Sequence, residues 1–215
     1  MTSKITKDAY ENPKIVDGYI NTHALNPKLF SLIEKFSKTI KGNKVLDLGC
    51  GPGHDSYKFS ELGYDVVGID YSSEMIRRAQ SFKDTVNKPK FVVGDMREIS
   101  NIFQENEFDA AWVSASLLHI SEKDVPKVLE NLKKILKDGA VLYISLKGGE
   151  QGPAIVEEGK YGISMQREFI FWERINFEKL LKMHNFEITV VEESQKTKSG
   201  DYITNWIDFF VVNHK

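Results

Sequence analysis

Residues 44–53 read Lys-Val-Leu-Asp-Leu-Gly-Cys-Gly-Pro-Gly, an apolar run entering a glycine-rich turn. Strand, turn and helix in that order bring backbone N–H groups and a helix start against a ligand. Gly49 and Gly51 suit the tight turn and a close ligand approach, and Gly53 lets the next helix begin beside it. A pyrophosphate-binding loop would carry glycine where this chain has His54, and a phosphate loop would continue into Gly-Lys-Ser/Thr, which does not follow. Asp70 closes the next apolar run, Val-Val-Gly-Ile-Asp. A carboxylate there can accept from both hydroxyls of a ribose. Asp95, in Phe-Val-Val-Gly-Asp-Met, can accept from an adenine amino group while Met96 packs on the ring. All these groups would stand at the carboxyl ends of neighbouring strands, where open α/β sheets bind ligands. Together they point to an adenosine-containing ligand.

Two further side chains could do chemistry. His119 ends Ser-Ala-Ser-Leu-Leu-His, and the ordinary pKa of an imidazole suits proton transfer near neutrality. The alternative is a residue that packs beside a helix start at Ser121 and shapes a pocket. Arg167 lies in 166–172, which reads as a short strand. There Arg167, Phe169 and Phe171 share one face, and Glu168, Ile170 and Trp172 the other. An arginine among aromatics suits an acidic or planar ligand, whereas a surface strand would leave it solvated. The single cysteine, Cys50, excludes an intramolecular disulfide and a cysteine-based zinc site, and it fits a reducing compartment. No metal-ligand set is expected.

The elements that must position these residues alternate. Runs rich in β-branched residues at 45–48, 66–69, 91–93, 110–113, 140–144 and 188–191 are separated by segments of helical spacing. That pattern predicts a doubly wound α/β sheet, mostly parallel, with helices on both faces. Helices are expected over 27–39, opened by Asn26-Pro27, over 53–62, from a Ser72 or Ser73 cap through residue 80 with Met75 inward, over 122–136 and over 176–184. For 122–136, Ser121 with Asp124 is placed as a capping box and Asp138-Gly139 as the stop. Two regions break the alternation. Residues 1–25 are polar with interspersed tyrosines, and 147–175 are too long for a structureless loop, so extra strands or a function are expected there.

The chain has 215 residues, 41% of them apolar, which predicts one domain with an elaboration. With 29 basic and 31 acidic residues it carries no global attraction for nucleic acid. The opening residues hold no apolar run, so no signal peptide is expected, and no stretch is apolar enough to span a membrane.

These motifs, in this order, resemble the class I S-adenosylmethionine-dependent methyltransferases. Val-Leu-Asp-Leu-Gly-Cys-Gly-Pro-Gly is similar to their first motif, Gly-Ile-Asp-Tyr-Ser to the second and Gly-Asp-Met to the adenine-side motif. Residues 108–119 resemble the fourth strand and its exit, and Leu-Lys-Asp-Gly-Ala-Val-Leu the turn into the fifth. The resemblance covers about residues 10–212. It implies a Rossmann-like sheet of seven strands in the order 3-2-1-4-5-7-6, with strand 7, at 206–212, antiparallel.

It further implies S-adenosylmethionine as cofactor, with S-adenosylhomocysteine as product. Asp47 and the loop Gly49, Cys50, Gly51 and Gly53 would cradle the methionine end, and Asp70 the ribose. Tyr71 would stack near the adenine, Asp95 and Met96 would flank it, and Met75 would back the site. Ser114 would lie near the amino-acid group, and Tyr10 and Tyr19 are candidates from an amino-terminal region that closes over the cofactor.

The expected organisation is a single methyltransferase domain over 1–215, with a helical cap at 1–40 and a substrate lid at 147–175. His119 and Arg167 are the candidate catalytic residues. The expected reaction is methyl transfer to a small molecule by a cytoplasmic monomer or homodimer. The alternative is an RNA methyltransferase of the tRNA wobble-uridine type, which the Ser-Leu-Leu-His-Ile and Asn-Trp-Ile-Asp-Phe-Phe-Val-Val stretches also resemble. Ser114-Ala115-Ser116-Leu117 stands where the amino-methyltransferases of adenine and glutamine have Asn/Asp-Pro-Pro-Tyr, which argues against those acceptors. Oxygen, nitrogen, carbon and sulfur acceptors all stay open.

Overall fold

A computed structural model describes residues 4–23, 26–82, 87–158, 165–199 and 202–215. The parts of the predicted cap and lid at 1–3, 24–25 and 159–164 lie outside the described residues. The strands are β1 (Lys44–Leu48), β2 (Asp65–Asp70), β3 (Lys90–Val93), β4 (Phe108–Ser114), β5 (Leu136–Gly148), β6 (Gly152–Glu158), β7 (Met165–Phe171), β8 (Phe186–Glu193), β9 (Thr197–Ser199) and β10 (Tyr202–Asn213). The helices are α1 (Lys4–Glu11), α2 (Pro13–His23), α3 (Pro27–Ser37), α4 (His54–Glu61), α5 (Ser73–Ser81), α6 (Val125–Ile135) and α7 (Arg174–Met183).

The main sheet runs β3-β2-β1-β4-β5-β10-β8. β1 to β5 pair in parallel, and β10 is antiparallel to both of its neighbours. Counted along the chain this is the expected order 3-2-1-4-5-7-6. The period-two alternation of each strand loads both faces. On β4, Ala110 and Trp112 point toward Ile33 and Phe36 of α3 and Phe59 of α4. Ala111 and Val113 join Val128, Leu129 and Leu132 of α6 and Phe177 and Leu181 of α7. Each such buried side chain contributes about 1.5–3 kcal/mol, so both layers are needed to hold the strand ends in register.

Both boundaries of α6 differ from the sequence expectation. α6 begins at Val125 rather than 122, because Pro126 has no N–H and belongs in a first turn. Ser121 instead closes a preceding turn, its hydroxyl donating to Asp124 Oδ2 at 2.9 Å. At the other end the helix stops at Ile135, before Asp138-Gly139. Leu136 is already extended and fully buried, paired with Phe108.

The 147–175 segment holds the extra strands expected there, β6 and β7 paired antiparallel, of which the sequence had marked only the second, at 166–172. It is fastened to the end of the main sheet by Trp172 N donating to Lys147 O at 3.0 Å. The polar amino terminus forms α1 and α2, and Thr6 of α1 is fully buried. Its hydroxyl accepts from Glu168 N on β7 at 2.8 Å. α1 therefore lies across the hairpin, and both stand over the carboxyl ends of the parallel strands.

Candidate functional site

The glycine turn leaves β1 by doubling back onto β2: Gly49 N and Cys50 N both donate to Ile69 O, at 2.8 and 3.0 Å. Gly49, Gly51 and Gly53 have φ of 79°, 50° and 87°, the left-handed region that side chains disfavour. At Gly49 a Cβ would also fall 2.3 Å from Ser116 Cβ. Replacing Gly49 by alanine is therefore expected to lower the melting temperature and weaken cofactor binding together. Thermal melts with and without ligand check this, and an unchanged ligand-induced shift would reject it. At Gly51 the same direction is open space, which leaves room for a ligand against the backbone.

The turn opens into a cavity of about 750 Å³. Of the residues singled out from the sequence, Tyr10, Tyr19, Asp47, Gly49, Cys50, Gly51, Asp70, Tyr71, Met75, Asp95, Met96, Ser114, His119 and Arg167 all line it. Gly53 does not. It sits behind the wall as the cap of α4, facing Phe91 and Ala79.

Three carboxyls crowd the base of the cleft. Asp47 accepts from Ser56 Oγ at 2.5 Å, and burial with Asp55 and Asp70 nearby pushes its pKa well up. Asp55 accepts from Trp112 Nε1 at 2.7 Å, and burial raises it to about 6. Asp70 is also raised to about 6 by burial. Its Oδ2 accepts from Gly51 N at 3.0 Å and its Oδ1 from Ser72 N at 2.9 Å, so it ties the glycine turn to the start of α5. A cluster of buried carboxyls beside a backbone cradle fits a ligand that brings hydroxyl donors and positive charge.

The same shifts give a pH dependence. An unfolded aspartate titrates near about 3.9, so between about pH 4 and 6 the folded ligand-free protein holds protons that the unfolded chain has lost. Their stabilisation is present below that window and disappears as pH rises through 6. Asp55→Asn keeps an acceptor for Trp112 and removes one titration. Its ligand-free stability is expected to fall less between pH 4.5 and 7 than that of the wild type, as urea denaturation would show. Parallel curves would reject the assignment.

Asp95 differs from its sequence reading. Arg97 donates to it from its backbone N and Nε at 2.9 Å each, and from Nη2, and this pairing lowers the Asp95 pKa. Arg97 also reaches Asp124. Asp95 is thus an ionised acceptor fixed by the guanidinium, and any donor that a ligand brings there would share it with Arg97. The Asp-x-Arg spacing was the signal for this in the sequence.

Over the same cavity, α1, the residues after β4 and β7 bring three side chains together. His119 Nδ1 is 3.1 Å from Glu168 O, an atom that only accepts, so Nδ1 carries the hydrogen and Nε2 is bare. Tyr10 Oη, 3.1 Å from Nε2, donates to it and accepts from Arg167 Nη1 at 2.7 Å. The Arg167 guanidinium lies 5.0 Å from the Phe169 ring and 5.7 Å from that of Tyr10. Phe169 and Phe171 both join a small apolar cluster with Leu118 and Ala154.

The ordinary imidazole pKa expected for His119 is not what this environment provides. Burial, with Arg167 adding its charge, lowers it to about 3, so the ring is neutral. α1 also reaches the cofactor side. Ser72 Oγ donates to Tyr10 O at 2.8 Å, Tyr71 Oη to Thr6 O at 3.2 Å, and Glu11 accepts from Ser73 N at 2.9 Å. Asp55, Tyr143, Ser145, Lys147, Trp206 and Asp208 also line the cavity, and the sequence reading missed them as site residues. Their alternation on β5 and β10 marks a shared face but not that the face is open.

A methyltransferase-domain family model matches residues 45–139, the span from the glycine turn to the start of β5. The chain is 32% identical over 166 residues to a glycine/sarcosine N-methyltransferase of Aphanothece halophytica, covering 71% of this chain and 59% of that protein. It is 31% identical over 127 residues to a ubiquinone biosynthesis O-methyltransferase of Haemophilus ducreyi, covering 57% and 53%. The chain spans about half the length of the curated relatives it matches. A crystal structure of an S-adenosylmethionine-dependent methyltransferase from Methanosarcina mazei superimposes with a TM-score of 0.71 at 23% identity, covering 88% of this chain and 98% of that one. The fold is that of the class I S-adenosylmethionine-dependent methyltransferases, with the Rossmann-like seven-stranded core. Among the described residues no helix is long and apolar enough to cross a membrane.

Proposed function

We propose that the chain transfers the methyl group of S-adenosylmethionine to a small molecule bound between the glycine turn and the β6–β7 hairpin. The observation that carries this reading is the continuity of one cavity from Asp70 to Arg167. An adenosine-ready cleft and a Tyr10–His119–Arg167 cluster share the same space. S-adenosylmethionine, when bound, supplies a methyl group on a positively charged sulfur, already activated for in-line displacement.

The chain's own residues then bind and orient. Asp70 accepts from the ribose hydroxyls, Asp95 and Met96 flank the base, and Asp47 and the glycine turn hold the amino-acid end. Arg167 and Phe169 suit an acidic or planar part of the acceptor. Neutral His119 fixes the Tyr10 hydroxyl. The acceptor gives up its proton to water before the site closes, and the Arg167 guanidinium, held by Tyr10 Oη, favours that deprotonated form. Because burial disfavours the imidazolium, His119 holds the Tyr10 hydroxyl in place and does not take up that proton. α1 caps the cofactor and the hairpin acts as the acceptor lid, so water is excluded from both ends.

The test uses methyl-labelled S-adenosylmethionine and a cell extract depleted of other methyltransferases, separated into small-molecule, RNA and protein pools. Label in the small-molecule pool is expected. Label in nuclease-sensitive material or in protein would overturn the small-molecule assignment, and no label despite tight cofactor binding would overturn turnover itself.

A further inference from the structure

The cavity continues past the cofactor cleft onto a part of the sheet to which the proposed reaction assigns no role. On β5, Ser145 and Lys147 lie directly opposite Asp208 and Trp206 of β10, and Tyr143 lies opposite Phe210. Leu29 and Leu32 of α3 line the same cavity. This wall is therefore a short cross-strand ladder of polar and aromatic groups rather than a continuation of the apolar core.

Asp208 is the group there that calls for a ligand. Tyr143 Oη donates to its Oδ1 at 2.9 Å, and Ser145 Oγ donates to the same oxygen at 2.6 Å. Both donors belong to buried residues, so the carboxylate is held in one orientation. Among the described residues nothing donates to Oδ2, and no lysine or arginine pairs with this carboxylate. The nearest cationic side chain along the ladder, Lys147, lies instead over the Trp206 indole, with Nζ 4.4 Å from the ring centroid. A half-buried carboxylate with one saturated and one open oxygen is partly desolvated without a counter-charge. A ligand cation that donates to Oδ2 removes that deficit.

Position separates this wall from the cofactor. Adjacent strands are about 4.8 Å apart, so β10 lies about 10 Å beyond β4 and about 14 Å beyond β1, which carries the glycine turn. A cofactor whose ribose sits at Asp70 on β2 fills the cleft across β2, β1 and β4. The space over β5 and β10 is left to the acceptor. Arg167 and Asp208 both line this cavity.

We propose that Asp208 is a specificity-determining residue that binds a protonated amine of the methyl acceptor, away from the atom that is methylated. The acceptors are then small molecules carrying an ammonium group. This rests on the methyl-transfer reading above and narrows its substrate class.

The test is a calorimetric titration of the full chain saturated with S-adenosylhomocysteine. The probes are two matched pairs that differ in an amine against a hydroxyl: β-alanine against 3-hydroxypropionate, and tyramine against 4-(2-hydroxyethyl)phenol. In the wild type at least one amine is expected to bind about tenfold more tightly than its partner. Asp208→Asn, which keeps an acceptor for Tyr143 and Ser145, is expected to bring the pair within twofold. Asp208→Glu should keep the preference, and S-adenosylhomocysteine affinity should stay within twofold throughout. Equal or absent binding of both pairs to the wild type overturns the proposal, as does a preference that survives Asp208→Asn. A loss of S-adenosylhomocysteine affinity in Asp208→Asn with amine preference intact also overturns it, since Asp208 would then serve the cofactor. If the wild type does not bind S-adenosylhomocysteine, the methyl-transfer reading fails instead, and the same amine comparisons on the ligand-free protein decide the Asp208 assignment.

Discussion

Asp70→Ala is expected to weaken S-adenosylhomocysteine binding by about 2–4 kcal/mol, roughly two orders of magnitude in Kd. Two losses combine. The ribose hydroxyls lose their acceptor, and Gly51 N and Ser72 N lose the carboxylate that ties the glycine turn to α5. Asp70→Asn is expected to be nearly as harmful. The carboxylate accepts from two backbone N–H groups on different oxygens, whereas an amide would turn its NH₂ toward one of them. Isothermal titration calorimetry decides the matter, and wild-type affinity in either variant would remove Asp70 from the cofactor site. A circular dichroism melt separates a local effect from unfolding, because Asp70 lies at the end of β2 rather than in the core.

The second large effect concerns turnover with the cofactor affinity retained. His119→Ala and Tyr10→Phe are each expected to lower kcat on a true acceptor by about 100-fold or more, with the Kd for S-adenosylhomocysteine changed less than about threefold. Tyr10→Phe deletes the one oxygen that joins Arg167 to His119 and keeps the ring. Its effect therefore isolates the hydrogen bonds from packing. Because the His119 pKa is lowered to about 3, the wild-type kcat profile should show no limb near pH 6.5 from this imidazole. Unchanged kinetics in both variants would leave the pair a structural contact, and loss of cofactor affinity equal to the loss of kcat would assign them to the cofactor cap.

The glycine turn and the strand-end carboxylates that line the cavity were readable before any coordinates, since their signals are local in sequence. The turn from Gly49 to Gly53 needs left-handed backbone, and Asp70 and Asp95 each close a strand, so residue type and spacing announce them. The Tyr10, His119 and Arg167 cluster was visible only as separate candidates. Tyr10 lies more than a hundred residues from both His119 and Arg167, and the bonds that join it to them exist only when α1 crosses β7. α1 itself carries too few apolar residues to declare a buried face, because Thr6 anchors it by hydrogen bonds to Glu168 rather than by hydrophobic area. The hairpin was half visible. β7 alternates clearly, whereas β6, with Gly152 and Pro153 at its start, lacks a strand signature of its own.

Period-two and helical spacing determined a mostly parallel sheet covered on both faces, because alternating apolar residues have few other ways to be buried, and the strand order came from the family resemblance. Residue type and spacing likewise announced the glycine turn and the carboxylates at the strand ends that line the cavity. Only the folded chain decided the protonation of His119, the pairing of Asp95 with Arg97 and the open oxygen of Asp208. Those properties depend on desolvation and on which donors arrive from distant segments. Neither quantity is carried by a residue's own type or by its spacing from its neighbours in the chain.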